Sequence, residues 1–377
     1  MSNSLTGPGP SVSARIRRRI CFRALSLLAA AALSFVVLPA SLSAQSDPFL
    51  PLPVRAVSTV PSNGDVNPYG VVFVPKGFPS GGAANTGDVL VSNFNNSSNL
   101  QGTGTTIIDL PFGGQPGLFY QGPTGLGLTT ALNVLRKGFV LVGNFPSPDG
   151  SCTDAGAGSI LVINNQGQQV GAISGKFIQG PWDSALLDLG NFAELFVTNA
   201  LSGTVVRLDL LVTSEGVKVL NSTQIASGYQ HQCDAVTFVD APAGLVFDPA
   251  RDTLYVASTL DNAIYAVPNA GLALGDHGTG RLIYSDPVHL HGALAMTMAP
   301  NGHLLVSNND AINSDPAHAS EITEFTVNGE FVKQLSIDPS QGGSFGLAVE
   351  VLPGNVAQFA AVDDVTNNLL VWTLPAF

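Results

Sequence analysis

The sequence predicts an all-β chain folded as a six-bladed β-propeller, its last blade closed by an N-terminal strand. Three observations carry that expectation. One phrase of strand, turn and strand recurs six times. No stretch after the first forty-odd residues has sustained helical periodicity. The last copy of the phrase runs out of chain one strand short.

The phrase is clearest in its second strand: Val89-Leu90-Val91-Ser92-Asn93, Val140-Leu141-Val142-Gly143-Asn144, Leu195-Phe196-Val197-Thr198-Asn199, Leu254-Tyr255-Val256-Ala257-Ser258, Leu304-Leu305-Val306-Ser307-Asn308 and the weaker Phe359-Ala360-Ala361-Val362-Asp363. The 270 residues from Asn93 to Asp363 divide into five intervals with a mean of 54, room for four short strands and their turns. First strands read as Gly70–Val74, Gly244–Asp248 and Ala293–Met298, and third strands as Thr106–Asp109, Ser159–Ile163, Thr204–Leu208 and Ala263–Val267. All are short, rich in β-branched residues and bounded by Gly, Asn or Pro. The final copy stops at its third strand, Leu369–Leu374, whereas Val54–Val60 has no partner of its own. Pairing these two segments would close the ring and remove an exposed edge.

The N-terminus carries a different signal. Arg15, Arg17, Arg18, Arg19 and Arg23 precede an apolar run from Ala24 to Leu38 and the small residues up to Ala44. This order predicts a signal peptide over 1–44, a single propeller domain over 45–377, and a secreted or periplasmic protein. An uncleaved anchor is the alternative, although the run is shorter than the ~20 residues that span a bilayer. Cleavage would remove five of the fifteen basic residues and none of the twenty-seven acids, leaving a net charge of −17. Such a chain lacks the clustered Lys and Arg that nucleic acid or anionic membranes require. No second hydrophobic stretch is long enough to cross a bilayer, and the closed ring is expected to act as a monomer. Cys21 leaves with the signal, so Cys152 and Cys233 remain to form one disulfide or to stand as two thiols.

Leu195–Val206 resembles the YVTN propeller repeat, and Pro242–Pro249 followed by Leu254–Ala257 resembles an NHL or gluconolactonase-type repeat. The resemblance covers most of the chain after residue 54 and implies the six-bladed fold. It says little of function, because such propellers serve as lactonases, lyases, phosphatases and binding scaffolds. Gluconolactonase-type enzymes hold a divalent cation through an Asn and an Asp in Pro-x-Gly turns. The matching positions here are Ala243 and Phe345, which cannot ligate through their side chains.

Loops after second strands and before first strands share one face of a propeller, around the channel mouth. That rule places Asn93, Asn144, Asn199, Ser258, Asn308 and Asp363 in a polar ring, there either to bind a ligand or to fix tight turns. Just before the first strands, where other blades carry Tyr69, Ala243 and Phe345, Asp183 in blade three and His291 in blade five break the repeat, with Trp182, His231, His289 and His318 nearby. Asp183, His231, His289 and His291 could hold a divalent metal ion or exchange protons; solvated loop residues are the alternative. Asn308, Asn309, Asp310, Asp315 and Glu321 offer oxygen ligands for a hard cation, without the Asp-x-Asp-x-Asp-Gly frame. The functional expectation is a binding or scaffold propeller presenting its mouth to a small molecule, polymer or protein. The alternative is a metal-dependent hydrolase or lyase at the same mouth, in which the metal would activate a water.

Overall fold

The computed structural model describes residues 48–52 and 55–376; the predicted signal segment lies outside them. Six four-stranded antiparallel sheets follow one another along the chain. Blade one comprises Val66–Phe73, Val89–Asn95, Thr106–Leu110 and Gly117–Gln121, and blade two Leu128–Leu135, Phe139–Asn144, Ser159–Asn164 and Gln169–Ile173. Blade three is built from Pro181–Asp188, Phe192–Asn199, Thr204–Val212 and Val217–Ser227, and blade four from Pro242–Asp248, Thr253–Ser258, Ala263–Pro268 and Arg281–Tyr284. Blade five contains Ala293–Met298, Leu304–Asn308, Glu321–Phe325 and Phe331–Ser336. Blade six contains Ser344–Leu352, Val356–Asp363 and Asn368–Pro375, and its fourth strand is Arg55–Ser58. The first strands contact one another in a closed ring around the axis.

The predicted closure is present. Arg55 pairs with Val371 and Ser58 with Asn368, antiparallel, so the two ends of the chain finish one sheet. Thr59 continues the lock, its N–H and hydroxyl both donating to Asn367 O. Blade six thereby loses its free edge to a strand over 300 residues away in sequence.

Second strands such as Val89–Asn95 and Phe139–Asn144 are buried along their whole length. Outer strands such as Gln169–Ile173 are mostly exposed. The apolar residues form one cluster between each pair of successive blades from one to six. A further cluster joins blade six to blade one and runs inward to the channel mouth. No blade can bury both faces alone, so the ring is one cooperative core. Among the described residues, no helix is long and apolar enough to cross a membrane.

Candidate ligand cavity at the channel mouth

Every first strand is irregular near its start. In blade three Pro181 pairs with Asn199 but Ser184 with Val197, so one extra residue is inserted. The same shift occurs at Pro68/Val71, Pro242/Leu245, Ala293/Met296 and Ser344/Leu347, and blade two inserts two residues between Leu128 and Leu132. Such a bulge re-aims the side chains beside it. The residue after the paired position is Tyr69, Trp182, Ala243, Leu294 or Phe345, and the next is Gly70, Asp183, Gly244, Ala295 or Gly346. The glycines let neighbouring strands close in: a Cβ on Gly244 would lie 2.3 Å from Leu294 O, and one on Gly346 2.0 Å from Tyr69 O.

This register corrects the expected placement of two residues. Trp182, not Asp183, stands where other blades carry Tyr69, Ala243 and Phe345, and the blade-five equivalent is Leu294, not His291. Asp183 occupies the glycine slot and reaches to the next blade, accepting from Leu245 N (3.2 Å) as well as Ser184 N (2.7 Å). Burial pushes its carboxyl well above the usual carboxylate range, against those two N–H groups.

Side chains from the bulges and loops plug the channel. Tyr69 stacks between Phe94 and Phe345, with 4.6 Å between ring centroids on either side. Trp182 stacks on Phe238 and meets Tyr69, Phe94 and Phe145 edge-on. Phe238 belongs to a two-stranded hairpin, Gln232–Asp234 with Phe238–Asp240, inserted before blade four. Its φ of 71° lies in the left-handed region, a costly conformation for a bulky residue, held here by a ring wedged among three aromatics. The hairpin is tied down by a disulfide between Cys233 and Cys152 of the long blade-two loop, with Cα atoms 5.3 Å apart. Gln101 of blade one donates to Val236 O at its tip (2.8 Å).

The plug divides the axis into two cavities. The lower, of about 390 Å³, is walled by first strands of all six blades and includes Thr130, Asn133, Asp183, Thr297 and Glu350. The upper, at the mouth, is about 550 Å³. Its floor is Tyr69, Trp182, Leu294 and Phe345, and its wall carries Asn67, Asn95, Asn99, Gln101, Asp234, Thr237, Asn309, Asp310, Gln341 and Asp364. Burial and the neighbouring Asp363 push the Asp364 carboxyl up to about 7. Burial also raises Asp310, although Gly342 N and Ser320 N both donate to its Oδ2.

The predicted polar ring is placed differently. Asn144, Asn199, Asn308 and Asp363 lie outside the wall of the mouth cavity. The Asn199 amide donates to Phe177 O and its oxygen accepts from Gln179 N. Asn308 does the same with His289 O and His291 N. Asn144 donates to Leu126 O, and Asn93 to Thr59 O. Each fastens the segment entering its own blade. Asp363 accepts from Val365 N and Thr366 Oγ1, and Ser258 donates to Asp261. The cavity is lined one or two positions later, by Asn95, Asn309, Asp310 and Asp364.

Nor does the fold assemble the expected metal sets. His231 is exposed and faces Tyr229 O (3.2 Å). His289 stacks on Phe331 and contacts Tyr284 Oη and Asp286 Oδ2 (2.8 and 3.0 Å). His291 is buried against Asn313 O and Val288 O, 3.7 Å from Glu321. The residues of the hard-cation set also separate. Asp310 faces the cavity, Asp315 caps a short turn beside His318, and Glu321 is buried beside His291. Among the described residues no three His, Cys, Asp or Glu are grouped to hold a metal ion. Local sequence spacing misled here because alternate residues of one segment serve different neighbours. Ala243 and Phe345 do not fit a divalent cation either, Phe345 being packed into the floor against Tyr69.

No family model and no curated protein matches the chain. Solved structures do. An oxidoreductase (glucose dehydrogenase) from Thermus thermophilus is 12% identical with a TM-score of 0.50, over 84% of this chain and 99% of that one. A streptogramin B lyase is 14% identical, with a TM-score of 0.47 over 85% and 87%. A chain of a nidogen/laminin complex is 15% identical, with a TM-score of 0.46 over 72% and 91%. With the first of these the shared property is the fold. At such identities the chemistry of those proteins does not transfer.

Proposed function

We propose that this chain is an exported propeller of the NHL/YVTN-repeat kind that binds a small molecule in the cavity at the mouth of its channel. The basic and apolar N-terminal segment supports export, and the Cys152–Cys233 disulfide fits an oxidising compartment. The observation that carries the binding reading is the mouth cavity itself. Its size falls within the few hundred Å³ usual for small-ligand sites, and it has an apolar floor and a convergent polar wall. A hairpin held by a disulfide gives that wall a fixed shape before any ligand arrives.

The test is calorimetric titration of the mature protein with a panel of small amines, sugars and amino acids, repeated on Gln341→Trp. Gln341 is an exposed wall residue, so the indole should fill the cavity without disturbing a blade. Binding lost in a variant that melts like the parent supports the reading. Binding untouched by Gln341→Trp, or no binding across the panel, overturns it.

A further inference from the structure

Resting on that reading, the structure assigns the mouth cavity a ligand class: we propose an organic cation, an ammonium group carrying an apolar alkyl or aryl portion. The charged side chains in the wall are Asp234, Asp310 and Asp364, and no Lys, Arg or His is among the residues lining it. Asp364 is the anchor. Among the described residues its carboxyl makes no hydrogen bond to the protein, although Asp364 N is fixed to Gly343 O.

A second observation is independent of charge. Asn67 and Asn95 line the cavity with only 7% and 2% of their surface exposed, and the Oδ1 of each lacks a hydrogen-bond partner. Gln101 Oε1 and Asp310 Oδ1 are unpartnered as well. Two of these groups have their orientation fixed, since Asn95 Nδ2 donates to Asn99 Oδ1 (2.7 Å) and Gln101 Nε2 to Val236 O. The free end is therefore the oxygen in both, an acceptor awaiting a donor. A buried acceptor left unmatched is costly, so the complementary ligand brings hydrogen-bond donors. An ammonium supplies several donors and the positive charge on one atom. The floor of Tyr69, Trp182, Leu294 and Phe345 offers an apolar seat for the rest of the molecule. The elevated Asp364 carboxyl fits the same picture, being a half-buried acid without a counter-cation. The net charge, −12 for the chain and −17 after the proposed cleavage, favours cations over anions.

The experiment titrates three probes into the mature protein: 2-phenylethylamine, its neutral analogue 2-phenylethanol, and glucose. The expected result is measurable binding of the amine, at least about tenfold weaker binding of the alcohol, and a similar loss of amine binding in Asp364→Asn. Asp364→Asn is nearly isosteric, and its thermal melt shows whether it folds. Should it fail to fold, Gln101→Leu provides the second variant and is expected to weaken the amine. The alcohol or glucose binding as tightly as the amine overturns the cation class, while loss of that binding in Gln341→Trp keeps the cavity reading. Amine binding unchanged in well-folded Asp364→Asn also overturns the class. Absence of binding by all three probes overturns the class here, and the wider panel then decides the cavity reading separately.

Discussion

The two halves of the axis are built by different means. The lower cavity is walled by the repeat itself, one first strand from each of six blades. The upper is walled largely by what the repeat does not specify: the hairpin between blades three and four, and the residues just past the second strands. The repeated Asn positions lie nearby, yet they fasten backbone to backbone. Features shared by every blade hold the ring together, whereas departures from the repeat shape the cavity that a ligand could use.

The largest expected effect probes the boundary between the halves. Phe238→Ala removes a ring wedged among Phe94, Phe145 and Trp182. It should cost about 3–5 kcal/mol, typical of deleting a buried aromatic, and should join the two cavities. Urea unfolding measures the loss; a change under about 1 kcal/mol would mean the layer is not a packed plug.

Next comes the tether of the hairpin. The double variant Cys152→Ala with Cys233→Ala frees two loops 81 residues apart in sequence. Stability should fall by about 2–4 kcal/mol, with hydrogen exchange rising first over 232–240. Exchange rising equally in all blades would show the disulfide to be a brace of the whole ring, erasing the contrast between repeat and insertion.

The smallest effect is the pH response of the upper wall, because solvent screens the half-exposed Asp364. The Asp364 carboxyl is held up to about 7 in the folded protein, against about 4 for an unfolded chain. The folded state keeps the proton more tightly, so this group's stabilising contribution is present near pH 4 and is lost as pH rises to about 7. Asp364→Asn should therefore gain on the parent across that range when urea midpoints are compared. Parallel curves for parent and variant would remove Asp364 from the titrating wall.

Much of the fold was legible in the sequence. Blade number followed from the period, and the closing strand from a final copy that ends at its third strand; Arg55–Ser58 against Asn368–Val371 meets that expectation. Of the residues marked as site candidates, Trp182, Asn309 and Asp310 line the mouth cavity, and Asp183 fell one cavity lower. The difference is a single bulged residue. Propensity scarcely distinguishes a strand with an insertion from one without, but side chains alternate, so an offset of one sends a group to the other side. For the missed Asp364 the available signal was the doublet Asp363-Asp364, which stands at the end of a second strand as Asn309-Asp310 does.

By itself the sequence determined the period, the strand-rich composition and the closure, because each depends on local pattern or on simple counting. Only the tertiary structure decided which polar atoms meet at the mouth. That depends on six bulges, a hairpin pinned from another blade and the packing of one aromatic layer, contacts between residues far apart in the chain whose energy exists only once the ring has closed.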